Sequence, residues 1–252
     1  MRERERERER ENKKYLATLF INNQKKNFLG NVLFFGRSNC IYSKKIKNFL
    51  KKNSKKLFYF ESNKIYEKIN KKYLKIKYDY IFCFRSYYIL KENILKKVKK
   101  VAINFHAGPP EYRGLGCVNY AIYDNSRFYG CTAHLINKKI DNGKIIDVKK
   151  FKINRKLSIS QILAKTYKIM FAQAISIIQN IQKKPYYIEN QIFKNKDIKW
   201  SKKIKKIKDL ENFYEINKNV QKNNFLNKIR ATNTDKFKPY IKLYGKKFIL
   251  EG

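Results

Sequence analysis

Histidine is nearly absent from this chain: its 252 residues hold two, against 60 lysines and arginines and only 20 aspartates and glutamates. With so few imidazoles, each becomes a candidate for chemistry. Cysteine is scarce too. Cys40, Cys83, Cys117 and Cys131 are widely spaced and form no CxxC pair, which removes the usual zinc frameworks and leaves reduced, structural thiols as the expectation. No run is apolar over the roughly 18 residues a membrane span needs, and the amino terminus has no apolar core of a signal peptide. A cytoplasmic protein with no membrane partner and no metal site is therefore expected. Glycine is thin as well, and Gly30 and Gly36 do not make the GxGxxG pattern of dinucleotide binding.

The shortage of acids leaves a formal charge of +40. Such a charge suits a nucleic-acid or other anionic partner. Lysine, however, is scattered through nearly every segment instead of concentrated on one, which favours a solvated basic surface. The five Arg-Glu pairs of residues 2–11 cancel in charge and carry no apolar stripe, so residues 1–14 are expected to be disordered.

What remains has 43% hydrophobic residues and is long enough for one large domain with a small appendage. Asn31 to Phe35, Leu57 to Phe60, Tyr78 to Phe84 and Val101 to Phe105 read as strands. Between them, Ser43 to Lys51 and Ile89 to Val98 have helical spacing. This alternation predicts an α/β fold with a doubly wound, mostly parallel sheet. Further on, Cys117 to Tyr123 reads as a short helix, and Tyr129 to Ile136 and Lys144 to Lys150 as strands. Ser158 and Gln161 have capping-box spacing at the head of a helix running to about Gln182. Pro185 marks a boundary, giving a catalytic region of 15–184 and a small carboxy-terminal region of 185–252 that ends in a hairpin around Gly245.

The segment from Asn104 to Gly116, NFHAGPPEYRGLG, concentrates one histidine and two of the four prolines at a predicted strand end. Strand side chains alternate, so Asn104 and His106 share a face, and the loop after them lies where open α/β sheets hold ligands. Attack of an amine on an acyl carbon builds negative charge on oxygen and positive charge on nitrogen. An Asn amide can donate to the first, and an imidazole oriented by a carboxylate can manage the second. Asp141, before Asn142 and Gly143, is the carboxylate of suitable type, although any turn can contain such a triplet. Cys117 directly follows the segment and is read as structural.

The run Ile103 to Ile146 resembles the folate-dependent formyltransferase family: Asn104-x-His106, a proline loop with Arg113-Gly114, then Gly130-x-Thr132 and Asp141-x-Gly143. That resemblance implies a Rossmann-like formyltransferase fold, with Asn104, His106 and Asp141 as the catalytic set and 10-formyltetrahydrofolate as the donor. It further implies donor contacts, largely main-chain, from Phe84, Arg85, Ser86 and Tyr87 and from Asn137, Lys138, Lys139 and Ile140. Gly108, Pro109, Arg113 and His134 would shape the acceptor side, with His134 otherwise a solvent-facing strand residue. The loop Ala107 to Pro110 departs from the family's usual wording, which bears on the acceptor more than on the chemistry. Only about 65 residues follow the long helix, few for an added five-stranded barrel. That length, Lys228 to Thr232 and the closing YIKLYGKKFIL look like the sugar N-formyltransferases. A nucleotide-linked amino sugar is therefore the expected acceptor, with methionyl-tRNA the alternative and a non-catalytic basic nucleic-acid binder the reading from another class. Release of formate to water and a homodimeric assembly both stay open.

Overall fold

The computed structural model describes residues 28–64, 67–234 and 237–251. The Arg-Glu head, and with it the expectation of disorder, lies outside the described residues. Strand β1 (Asn31–Arg37) is buried except at its two end residues and leads into α1 (Ile41–Asn53), whose Ile46 and Leu50 are fully buried against the sheet. Strands β2 (Lys56–Ser62), β3 (Tyr78–Phe84) and β4 (Val98–His106) follow, all parallel to β1. Strands β5 (Arg113–Gly114), β6 (Phe128–Leu135) and β7 (Ile145–Lys152) come next, and β6 and β7 add to the β4 edge as antiparallel neighbours. The six-stranded order is β2-β1-β3-β4-β6-β7, the expected mostly parallel α/β sheet.

Period-two alternation divides the core. Val32, Phe34, Phe82, Ile103 and Phe105 pack with Met170, Ala174 and Ile178 on one face, while Leu33, Phe35, Ile81, Cys83 and Ala102 pack on the other. The first face is covered by the long helix whose residues Ile159–Lys183 open on the predicted capping box: Ser158 Oγ accepts from the Gln161 backbone, and the Gln161 side chain accepts from Ser158. Burying one aliphatic side chain contributes roughly 1.5–3 kcal/mol, so a stripe of this length anchors the helix without help from propensity.

The helix expected over Ile89 to Val98 is a correction. Only Glu92–Leu95 (α2) is helical, and Val98 already belongs to β4, paired with Tyr78. The deciding force is sheet pairing: the register draws Val98 into the ladder, and a single turn suffices to bury Ile94 in the second face of the core. Helix α3 (Cys117–Tyr123) is almost wholly buried, and the 25-residue helix above is α4.

After α4, the chain turns at Pro185 into α5 (Tyr187–Lys194), β8 (Ile204–Lys205), α6 (Ile207–Phe213) and α7 (Lys222–Thr232). It closes with the antiparallel hairpin β9 (Tyr240–Leu243) and β10 (Lys246–Ile249), turning through Tyr244 and Gly245, both at positive φ. Residues 187–205 run back over the sheet: Tyr187, Ile188 and Ile192 pack on the first core, and β8 pairs with β5. Among the described residues, no helix is long and apolar enough to cross a membrane.

Candidate active site

β4 delivers the first two residues. Phe105 enters the core, whereas Asn104 and His106 turn together to the other face, opposite His134 and Thr132 on β6. Asp141 comes from the link between β6 and β7, where a φ of 44° places it in the left-handed region. Asp is one of the few residues that tolerates this conformation.

Four groups converge on the buried Asp141 carboxylate. His106 Nδ1 lies 3.4 Å from Oδ2 and the Gly114 backbone N–H donates to the same oxygen at 3.3 Å. Asn104 Nδ2 donates to Oδ1 at 3.4 Å, and His134 Nε2 is 3.5 Å from it. Burial works against charging either partner of the His106–Asp141 pair. Each nonetheless holds the other ionised: Asp141 lies at about 2, with His106 and His134 beside it, and His106 at about 9, with Asp141 and Cys117 beside it. The second ring nitrogen of His106 faces the Tyr112 carbonyl at 3.2 Å, so both N–H groups of an imidazolium meet acceptors.

His134 is buried, not solvent-facing. Its Nδ1 sits 2.8 Å from the Leu135 carbonyl, an acceptor that only an N–H satisfies, which in the neutral ring leaves Nε2 to accept from Asn104 Nδ2 at 3.1 Å. Gly108 packs so tightly that a Cβ there would stand 2.8 Å from His106 Nε2. Its carbonyl accepts from Thr132 Oγ1 at 2.8 Å, and Pro109 is buried beside it. The Arg113 guanidinium donates twice to the Ile140 carbonyl, at 3.0 and 2.6 Å, tying the proline loop to the Asp141 link.

Of the segments expected to contact a donor, one begins at the end of β3, where Phe84 pairs with Phe105, and the other follows β6 and leads to Asp141. Phe84 is fully buried, so only its main chain can reach a ligand. Arg85, at φ 54°, turns the chain out of β3 and stacks its guanidinium 3.5 Å from the Tyr167 ring centroid. Ser86 Oγ meets Ser62 Oγ at 3.1 Å, and Tyr87 lies under the Arg37 guanidinium. In the second segment, Asn137 caps its own turn by accepting from Lys139 N–H, and Lys138 pairs with Glu92 at 2.9 Å. Ile140 is exposed.

A model of the formyl transferase family matches residues 7–176, more than half of the chain. The chain belongs to that family. A methionyl-tRNA formyltransferase from Finegoldia magna is 29% identical over 97 residues, which are 38% of this chain and 31% of the relative. The match thus spans about a third of that relative's length. Among solved structures, a 4-N formyltransferase from Francisella tularensis superposes with a TM-score of 0.67 at 20% identity, covering 87% of this chain and 96% of the other. An N-formyltransferase from Helicobacter canadensis, in complex with folinic acid and dTDP-3-aminofucose, gives a TM-score of 0.63 at 18% identity over 86% and 85% of the two chains. At such identities these structures establish the shared fold.

Three features of this family member were not foreseen from its sequence. Cys117, read as a structural thiol, places Sγ 3.5 Å from His106 Nε2 while donating to the Gly114 carbonyl at 3.2 Å. Trp200 closes the site from the carboxy-terminal side, its ring 5.7 Å from His106 and 5.0 Å from His134, both edge-on. The one signal for it was that the chain contains no other tryptophan. Finally, a cavity of about 480 Å³ adjoins the site, lined among others by Arg113, Cys117, Tyr120, Lys203, Lys205 and Lys228. Lys205 Nζ sits 4.4 Å from the Tyr120 ring centroid and Lys228 Nζ 4.0 Å from that of Phe213. Burial lowers the pKa of Lys228.

Proposed function

We propose that this formyltransferase moves a formyl group from 10-formyltetrahydrofolate to the primary amine of a nucleotide-linked amino sugar. The observation that carries the reading is the convergence of Asn104, His106 and His134 on the buried Asp141 carboxylate. The donor, when bound, supplies the formyl carbon. The rims at 84–87 and 137–140 fit a ligand held mainly through the main chain, because Phe84 is sealed in the core and Arg85 and Asp141 bend the backbone outward at left-handed φ.

The roles follow from the proton positions. Asn104 Nδ2 is suited to hold the oxyanion that grows during transfer by exchanging its long 3.4 Å contact with Asp141 for the substrate oxygen while keeping His134; one such donor is worth about 3–4 kcal/mol of barrier. His106, with a pKa near 9, carries its proton at neutral pH and gives it to the departing nitrogen. The His106–Asp141 pair recovers a proton from the attacking amine, so the balance closes. Asp141 keeps its charge throughout and fixes the ring.

For the acceptor, the cavity beside Cys117 favours a group bearing negative charge. Arg113, Lys203, Lys205 and Lys228 outnumber Glu111 and Asp124 on its wall. A diphosphate-linked amino sugar matches that chemistry, and the Helicobacter canadensis relative holds such a ligand. The charge of +40 and the Finegoldia magna match support initiator methionyl-tRNA as a second reading. Incubation with 10-formyltetrahydrofolate and either nucleotide amino sugars or charged initiator tRNA, followed by mass spectrometry for one added formyl group, tests both. Formylation of the tRNA alone replaces the first reading with the second; formylation of neither removes both.

A further inference from the structure

We propose that Trp200 is a positioning residue of the transfer site: its indole clamps the Asp141 turn against β6 and holds the His106 and His134 rings in their working orientation. The proposal rests on the reading of His106 as the proton carrier. Two loops build the site, the proline loop after β4 and the link before β7, and residues 195–205 are stitched to both. Asn195 Nδ2 donates to the Ile146 carbonyl at 2.8 Å, and the Ser201 N–H donates to the Pro110 carbonyl at 2.9 Å. The Leu115 N–H then donates to Lys205, where β8 pairs with β5. Trp200 lies between these anchors.

Its indole N–H donates to the Gly143 carbonyl at 2.8 Å, two residues from Asp141. On its other side the Asp141 turn has no slack, because a Cβ on Gly143 would fall 1.6 Å from the Leu135 carbonyl oxygen. The turn is therefore held between β6 and the indole. The same indole meets His106 and His134 with interplanar angles of 71° and 85°. The ionisable groups facing His106 are Asp141 from the link, His134 from β6 and Cys117 from α3. Trp200 adds bulk without charge. It keeps water from the His106–Asp141 contact, where a lower local dielectric strengthens the attraction.

The test is an NMR titration of the two histidines in the full chain, comparing wild type, Trp200→Phe, Trp200→Leu and, as a control on the exposed side of the strap, Lys199→Ala. Water admitted beside the pair relieves the burial penalty, the largest single influence on His106, but also weakens the interactions with Asp141 and Cys117 that together outweigh it, so the His106 midpoint moves from near 9 toward its ordinary value of about 6.5. A fall of about one unit or more is expected in Trp200→Leu, a smaller one in Trp200→Phe and none in Lys199→Ala. Turnover in Trp200→Leu falls by about tenfold or more with the acceptor KM within about threefold, the pattern of a lost transition-state interaction. An unchanged His106 midpoint in folded Trp200→Leu overturns the proposal. If that variant does not fold, a wild-type midpoint in Trp200→Phe overturns it. Because the titration needs no turnover, a wrong donor or acceptor shows separately, as wild-type inactivity with the midpoint response intact.

Discussion

His106 Nδ1 and Asp141 Oδ2 lie 3.4 Å apart, and both side chains are about nine-tenths shielded from solvent. The pair joins the end of a central strand to a loop two strands away, so the sheet register and the backbone turn at Asp141 must both be right for it to form. Burial penalises each charge alone, and together they remain ionised across the neutral range.

Asn104→Ala and His106→Ala should each lower formyl transfer by about two orders of magnitude or more while the fold persists, on the usual size of an oxyanion donor and of a positioned acid. Steady-state rates with matched circular dichroism spectra check this. Near-normal turnover in both variants would remove the catalytic assignment.

Stability should follow the titration of the pair. For His106, raised in the folded state to about 9, the stabilising contribution is complete below about 6.5 and is lost as pH rises through 9. For Asp141, depressed to about 2, it is complete above the ordinary value of 3.8 and is lost as pH falls through 2. Urea unfolding between pH 6 and 10 should therefore show a decline on the alkaline side that is absent from Asp141→Asn; equal slopes in both proteins would contradict it.

The sole tryptophan offers an optical readout. An imidazolium near an indole quenches its emission, so Trp200 fluorescence should rise as pH increases through about 9, and His106→Ala should abolish that rise. A rise that survives in His106→Ala would show that some other group is being read.

Gly143→Ala forces a methyl group into the Leu135 carbonyl. Overpacking of this kind costs about 1–3 kcal/mol, and here the displaced segment carries Asp141. Thermal unfolding should report the loss, and turnover should fall further than the stability change alone explains.

On the acceptor side, Lys205→Ala and Lys228→Ala should raise the KM for a diphosphate-linked acceptor with little change in kcat, and the effect should shrink as salt is added. Unaltered KM values in both variants would move the acceptor elsewhere.

Much of this was legible in order of residues. The burial pattern of NVLFF and YDYIFCF, the Ser158–Gln161 cap and the shared face of Asn104 and His106 all rest on spacings of two to four residues, where covalent geometry sets the outcome. The region Ile89 to Val98 misled because helical spacing there competes with a sheet register that no local pattern reveals. His134 left two readings open, since alternation along β6 says which residues share a face but not whether that face is covered.

The sequence by itself therefore determined the order of the main strands and helices as far as the long helix, the cap of that helix and the pairing of Asn104 with His106 on one strand end. Only the tertiary structure decided that Asp141 is ionised against His106, that Cys117 and His134 join them, and that Trp200 closes the site from 57 residues beyond Gly143. Such contacts depend on where loops close over a finished sheet. The chain entropy that resists closure is overcome by burial spread over the whole core, so no short stretch of sequence records the result.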